Sequence, residues 1–312
     1  MSSSKPTPLQ HTLERSAFCR LIQRGELDVV VITHPAFRAE VLLQGAQMIA
    51  FAPTGESNWL WLSDTVEYKK GISLRGGIPI CWPWFGNACK NPPEIQAHYC
   101  GNQPAPAHGF ARTQIWQLTD LYEATDRVEL CMALGTTRSR QPSWPAETEV
   151  IARWVMRKDS LTVQLTTHNH GQSAIAVTQA LHTYLPTPDI HQTRLSGLHH
   201  HSYLDTLDNW RRKSQSGDVH FHSETDRIYY TAPNAHRLTL ITPDQRTLIN
   251  ASGSKSCIVW NPWIEKSRHL GQFEDTAWQR MTCVETANAA DDWINIEPGN
   301  THTLSVTFHQ DR

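Results

Sequence analysis

The sequence predicts an all-β protein, a large antiparallel β-sandwich with a short helical segment in front of it. Apolar and polar residues alternate with a period of two in run after run between Leu27 and Phe308, and Pro, Gly, Ser and Asn, the residues that turn a chain, separate the runs. A parallel sheet would need long helical crossovers between its strands, and no regular series of them is visible. No internal repeat, low-complexity tract or Gly/Ser linker divides the strand-rich region. The chain therefore reads as a tail with a possible helix over residues 1–26 and a single sandwich domain over residues 27–312.

Taken in order, residues 1–8 read as a disordered lead-in, and Leu9, Leu13, Phe18 and Leu21 are spaced as on one loosely amphipathic helix reaching about Gln23. Short β-rich runs follow at 29–32, 40–43, 48–51 and 59–62. In 147–157 the even positions Val150, Ala152, Trp154 and Met156 share one strand face. After Lys158-Asp159 the odd positions Leu161, Val163 and Leu165 do the same, which is a hairpin. The turn His168-Asn169-His170-Gly171 leads to a run from Ala174 to Leu185, with Ile175, Val177, Leu181 and Leu185 on one side and Ala176, Thr178, Ala180, His182 and Tyr184 on the other. Runs at 237–242, 246–250, 257–260, 280–286 and 302–308 continue the habit to the C-terminus.

Composition narrows the function. Across 312 residues, 28 Lys+Arg face 30 Asp+Glu, a formal charge of −2 with no basic excess, which argues against a nucleic-acid partner. The most apolar run, Gly77 to Gly86, is broken by Pro79 and Pro83 and is far shorter than the ~20 residues of a membrane span. The polar first residues carry no secretory signal, and seven cysteines without a CxxC pair suit a reducing compartment, so the expectation is a soluble, cytoplasmic monomer acting on a small molecule. Twelve Trp are expected to serve mostly in the core, with a few left for a cleft.

Three segments are too odd for generic turns. Leu74 to Gly86 sets one charge, Arg75, among glycines, prolines and aromatics; a planar guanidinium there can meet a sugar hydroxyl or a phosphate, or sit in an ion pair at a buried corner. Pro106 to Arg112 holds His108 and Arg112, the histidine fitting a packing role as well as a site. The strand Gln179 to Tyr184 places His182 opposite the aliphatic face, either exposed or directed into a cleft, and an imidazole is the natural acid–base group near neutral pH. Glu285 stands alone in the uncharged β-like stretch 281–288, where burial would raise its pKa and make it a better base. Asp226 and Arg227 form a polar cluster that fits a solvated turn or a site.

Metal and nucleotide chemistry have little support. His199-His200-His201 lie in a row, and neighbours on an extended chain point to opposite faces; Cys81, Cys89 and Cys100 with His98 lack the pair spacing of structural zinc. No GxGxxG, GxxxxGK[ST] or GxSxG motif occurs.

The ordered motifs LRGGIPICWPWFG (74–86), PAHGFAR (106–112), ALHTYL (180–185), TDRIY (225–229), WNPW (260–263) and CVETAN (283–288) resemble the D-hexose-6-phosphate mutarotases, or glucose-6-phosphate 1-epimerases, within the wider aldose 1-epimerase group. The similarity runs from about Leu27 to Phe308 and implies a galactose-mutarotase-like supersandwich with a sugar cleft on a concave face and no cofactor. It implies that His182 and Glu285 are the catalytic acid–base pair and that His108 holds the sugar. Arg75 and Arg112 would engage the phosphate or nearby hydroxyls, and Asp226 would lie near the sugar. Two departures stand out: the stretch Asn87 to Ala105 is long, and Trp263-Ile264-Glu265-Lys266 replaces smaller residues after Asn261-Pro262, so both reshape the cleft rim. The rival readings are an aldose 1-epimerase for unphosphorylated sugars and a non-catalytic carbohydrate-binding sandwich or sensor. A glycosidase would need a second carboxylate.

Overall fold

The computed structural model describes residues 12–137, 141–231 and 235–311; the expected lead-in 1–8 and the first residues of the helical segment lie outside the described part. Residues 12–14 are helical, but the helix stops there, and the expectation of one reaching Gln23 is corrected. Cys19–Arg24 is a strand instead, closing a hairpin with Leu27–His34 through the two-residue loop Gly25-Glu26. Four loosely spaced apolar residues are a weak helical signal, and a tight loop at Gly25, with its left-handed φ of 55°, outweighs it. The strand region therefore starts inside the segment read as tail.

Two large antiparallel sheets dominate. The nine-stranded sheet runs, in spatial order, Val219–His220, Arg194–Ser196, Ala235–Ile241, Arg246–Ser252, Thr301–Asp311, Leu161–Asn169, Thr148–Arg157, Arg127–Thr136 and Gln117–Glu123. Burial alternates strictly along Thr148–Arg157 and Leu161–Asn169, as the two-residue period demands, with Val150, Ala152, Trp154 and Met156 facing inward beside Leu161, Val163 and Leu165. Each large apolar side chain buried this way contributes ~1.5–3 kcal/mol relative to exposure.

The eight-stranded sheet runs Arg211–Ser214, Ser202–Asp205, Thr225–Tyr230, Ser256–Asn261, Met281–Asn288, Gln179–Leu181 and Ile80–Cys81, with Tyr184–Pro186 also paired to Met281–Asn288. Its central strands Ser256–Asn261 and Met281–Asn288 are buried at every position, so both of their faces are covered. The run expected as one strand over 174–185 is three short ones, Ile175–Val177, Gln179–Leu181 and Tyr184–Pro186. A four-stranded sheet, Cys19–Arg24 through Met48–Pro53, and a two-stranded one complete the fold. The expected strand at 59–62 does not form. Trp59 and Trp61 are buried, yet their backbone N–H groups go to separate partners, the Phe51 and Tyr184 carbonyls, and no ladder results.

Trp82, Trp84, Trp144 and Phe110 pack edge-to-face or tilted against one another, with Trp82 Nε1 donating to Thr167 Oγ1 on the inner face of the nine-stranded sheet and Trp84 Nε1 to the Pro106 carbonyl. Gly77 and Gly109 let the backbone approach closely; a Cβ on either would lie 2.0 Å from the carbonyl oxygen of Met48 or Trp82. The long stretch after Gly86 is pinned. The Asn91 amide donates to the Phe85 and Asn87 carbonyls, and His98 Nε2 accepts the Ala176 N–H. No helix among the described residues is long and apolar enough to cross a membrane.

Candidate active site

Sheet register brings the site together. Asp226 pairs with Trp260, Trp260 with Cys283 and Cys283 with Tyr184; two residues along, Ile228, Ile258 and Glu285 make the next row. Because side chains two apart share a face, these rows pave one surface, and His182 joins it beside Tyr184. The loops at 74–86, 106–112 and 263–272 wall this floor into a cleft of about 280 Å³ that all six expected residues line: Arg75, His108, Arg112, His182, Asp226 and Glu285.

At its floor, His182 Nε2 lies 3.5 Å from Glu285 Oε1, with the histidine 8% and the glutamate 1% exposed. The imidazole is stacked on the Tyr184 ring at 4.8 Å, and its backbone N–H is tied to the Pro79 carbonyl, which together fix the ring plane. His182 Nδ1 and Glu285 Oε2 are buried without a hydrogen-bond partner among the described residues. Burial, then the positive charges of Arg112 and Arg75, lower the His182 pKa to about 3. Burial, then the charge of Asp226, push the Glu285 carboxyl well above its ordinary 4.5. Both shifts oppose isolated charge, so the pair favours the state that shares one proton and has no net charge.

His108 is positioned at some cost. Its φ of 64° is left-handed, a conformation disfavoured for a residue with a Cβ, and the loop holds it there through its N–H to the Gly86 carbonyl. The Gly86 N–H donates to His108 Nδ1 at 3.3 Å, and Cys81 Sγ lies 3.3 Å from the same nitrogen. An Nδ1 that accepts leaves the proton on Nε2, which makes His108 a hydrogen-bond donor. Burial, then Arg112, keep it neutral.

Neither Arg75 nor Arg112 has a carboxylate within 4 Å among the described residues; Arg75 Nε donates to the Gly271 carbonyl and Arg112 Nη2 to that of Ala107. The ion-pair alternative for Arg75 is thus not what the fold contains, and two half-buried guanidiniums bring unspent positive charge to one end of the cleft. Toward the other end, Asp226 is half-buried inside a strand, not in a solvated turn, and Lys266 Nζ lies 3.1 Å from Glu224 and 4.0 Å from Asp226.

Several lining groups were not picked out as site residues in the sequence. Trp260 and Tyr184 share a face with Glu285 and His182, a signal present in the two-residue alternation. Lys266 enters because Trp263, with φ 56°, is wedged against Trp278 at 4.4 Å, so the departure after Asn261-Pro262 hangs a cation over the rim. Among the described residues, one group of possible metal ligands converges, His182, Cys283 and Glu285, with ligand atoms within 4.8 Å of one another. Two of its members are the His182–Glu285 pair at the floor of the cleft.

An imidazole 3.5 Å from a carboxylate at the floor of a polar cleft, on an antiparallel sandwich, is an arrangement suited to a class of protein that moves protons on a bound small molecule. The profile of the family described as aldose 1-epimerase matches residues 28–309. Over 270 residues the chain is 32% identical to an Escherichia coli protein provisionally named glucose-6-phosphate 1-epimerase, covering 85% of each. A Cenchrus ciliaris protein provisionally given the same name is 29% identical over 272 residues, 84% of this chain and 78% of that one. A crystal structure from Salmonella typhimurium, provisionally titled a mutarotase, superposes with a TM-score of 0.84 at 28% identity, covering 96% and 95% of the two chains. The chain belongs to the aldose 1-epimerase family, and so to the isomerases that epimerise sugars.

Proposed function

We propose that the protein is a hexose-6-phosphate mutarotase, interconverting the α and β anomers of a phosphorylated aldohexose such as glucose 6-phosphate. The observation that carries this is the His182–Glu285 pair set beside two guanidiniums without acidic partners. Glu285 takes the proton from the anomeric O1 while His182 gives one to the ring oxygen O5. The C1–O5 bond breaks, C1=O1 forms, and the pair is left as a carboxylic acid with a neutral imidazole, the tautomer that burial favours. Half a turn about C1–C2 followed by the reverse transfers closes the other anomer and restores the starting state. His108 donates from Nε2 to hold the ring, and Asp226 accepts from a sugar hydroxyl.

Arg75 and Arg112 take the phosphate through charge-assisted hydrogen bonds, which neutral sugars cannot offer. The wild type is expected to prefer glucose 6-phosphate over glucose in kcat/KM, and Arg75→Ala to reduce that preference roughly ten- to a hundredfold with little effect on glucose. A wild type that favours free glucose would point to an ordinary aldose 1-epimerase. Anomer exchange followed by NMR across phosphorylated and free sugars tests the whole reading; binding without accelerated exchange would mean a carbohydrate binder.

The pH profile follows from the shared proton. The acid limb marks uptake of a second proton, and a depressed His182 moves it below the ordinary imidazole value near 6.5; the alkaline limb marks loss of the shared proton, and a raised Glu285 moves it upward. The kcat/KM profile is therefore expected to be flat through about pH 6.5. An inflection there would show His182 titrating as a solvated ring.

The unit that does this is the single sandwich from residue 27 onward, extended by Cys19–Arg24 and acting as a monomer. All seven cysteines are free thiols, which supports a reducing, cytoplasmic setting.

A further inference from the structure

The His182–Glu285 pair has a third neighbour whose chemistry the exchange of anomers does not use. Cys283 lies two residues before Glu285 on the strand Met281–Asn288, so its side chain leaves the sheet on the same face. It pairs in register with Tyr184, the residue on whose ring His182 is stacked. The outcome is an imidazole nitrogen, a thiol sulfur and a carboxylate oxygen within 4.8 Å of one another, on three side chains that are all buried.

This donor set suits one kind of ion. Zinc takes sulfur at about 2.3 Å and nitrogen or oxygen at about 2.0–2.2 Å in a tetrahedron, which sets its ligand atoms roughly 3.3–3.8 Å apart. His182 Nε2 and Glu285 Oε1 already stand at 3.5 Å. The sulfur then has at most about an ångström to travel. A thiolate also selects against magnesium and calcium, which prefer six or more oxygens. Charge agrees with geometry. Zinc displaces the thiol proton and the proton shared by the pair, both going to solvent, and a dication held by a thiolate, a carboxylate and a neutral imidazole leaves no net charge on the buried floor. Three protein ligands leave the fourth position to water or to a sugar oxygen. Two costs limit the affinity. Burial, then the charge of Glu285, hold the Cys283 thiol protonated, and Arg75 and Arg112, lining the same cleft, repel a dication. Binding is therefore expected to be micromolar and reversible, unlike that of a closed structural site.

We propose that His182, Cys283 and Glu285 form an inhibitory zinc site, through which a rise in free Zn²⁺ switches the protein off. A ring nitrogen bound to the metal has no proton to give to O5. A carboxylate bound to it is a poor base toward the O1 hydroxyl. Exchange therefore stops whether or not the sugar is in place, and Cys283 is the residue that makes the pair responsive to the metal.

The inhibition rests on the mutarotase reading, the metal site does not, and the test keeps the two apart. Co²⁺, which takes the tetrahedral sites of zinc and is coloured, is titrated into the full chain and then displaced with Zn²⁺. The proteins are the wild type, Cys283→Ser, Cys283→Ala, His182→Asn and the double variant Cys89→Ser with Cys100→Ser, which removes the two exposed thiols. The wild type and the double variant are expected to show a thiolate-to-cobalt charge-transfer band that Zn²⁺ abolishes. Both Cys283 variants and His182→Asn should lack it, so the result does not hang on the folding of one variant. Anomer exchange of glucose 6-phosphate is followed at free Zn²⁺ fixed by a chelator buffer, each protein against its own metal-free rate. In the wild type it should fall at least tenfold by ~10 µM Zn²⁺ and recover with EDTA, and the Cys283 variants should need roughly tenfold more. Mg²⁺ at the same concentration should do nothing. A wild type without the band, or inhibition that Cys283→Ser leaves unchanged, overturns the site. Exchange absent at every Zn²⁺ concentration, with the Cys283-dependent band present, removes the mutarotase reading and leaves the metal site standing.

Discussion

Glu285→Gln is expected to lower the enzyme-catalysed exchange of glucose 6-phosphate anomers by ~10²–10⁴ while the protein stays folded, because each positioned proton-transfer group supplies about that factor. Stability should move the other way. The folded chain holds a proton on Glu285 up to its raised pKa, whereas the unfolded chain releases it near 4.5, so stability falls as pH rises between the two. Gln carries no such penalty, and its amide can face His182 Nε2 across the same gap. The melting temperature of the variant should therefore gain on the wild type between about pH 5 and 8, by ~2–4 °C for each kcal/mol released. Near-normal exchange in this variant would remove Glu285 from the chemistry.

His182→Asn should lose a similar ~10²–10⁴ in kcat, with KM changed little, since the ring meets O5 most strongly as the C1–O5 bond breaks. The double variant should be no slower than the worse single one, because each group works only with the other. Measured losses that multiply would mean two independent sites of action. The pH signature is opposite in sign to that of Glu285. The unfolded chain takes up a proton on this histidine below about 6.5 and the folded one only near 3, so the wild type loses stability across that window as pH falls, and His182→Asn should blunt the loss.

These two residues were legible in the sequence for physical reasons. A histidine on the polar side of a strand and one carboxylate in an uncharged stretch both break a pattern, and such breaks persist where a site needs them. Their 3.5 Å approach was not legible, since it depends on how 179–181 and 184–186 register against 281–288. The alternation that foretold the hairpin at 147–165 is strong because one face is buried at every second residue. The misread helix before Gln23 and misread strand at Trp59–Leu62 rested on spacing or composition alone, with no record of where the backbone hydrogen bonds go. Lys266 reaches the cleft from a segment whose bulkier residues were noted but whose path was not coded by any period.

The strands that frame the cleft also decide how the molecule behaves in a crowd of its own copies. The eight-stranded sheet ends on one side in Arg211, Arg212 and Lys213 and on the other in the two-residue strand Ile80–Cys81. The nine-stranded sheet ends in Val219–His220, also two residues long, and in Gln117–Glu123, which is bulged between Leu118 and Asp120 and has Glu123 bound to the Ser16 hydroxyl and the Ala17 and Phe18 N–H groups. Like-charged, very short and irregular borders are the devices by which sheets deny a second chain a template for pairing. Borders of this kind give a second chain little to pair with edge-on, so the two large sheets carry in their own ends a guard against edge-to-edge aggregation.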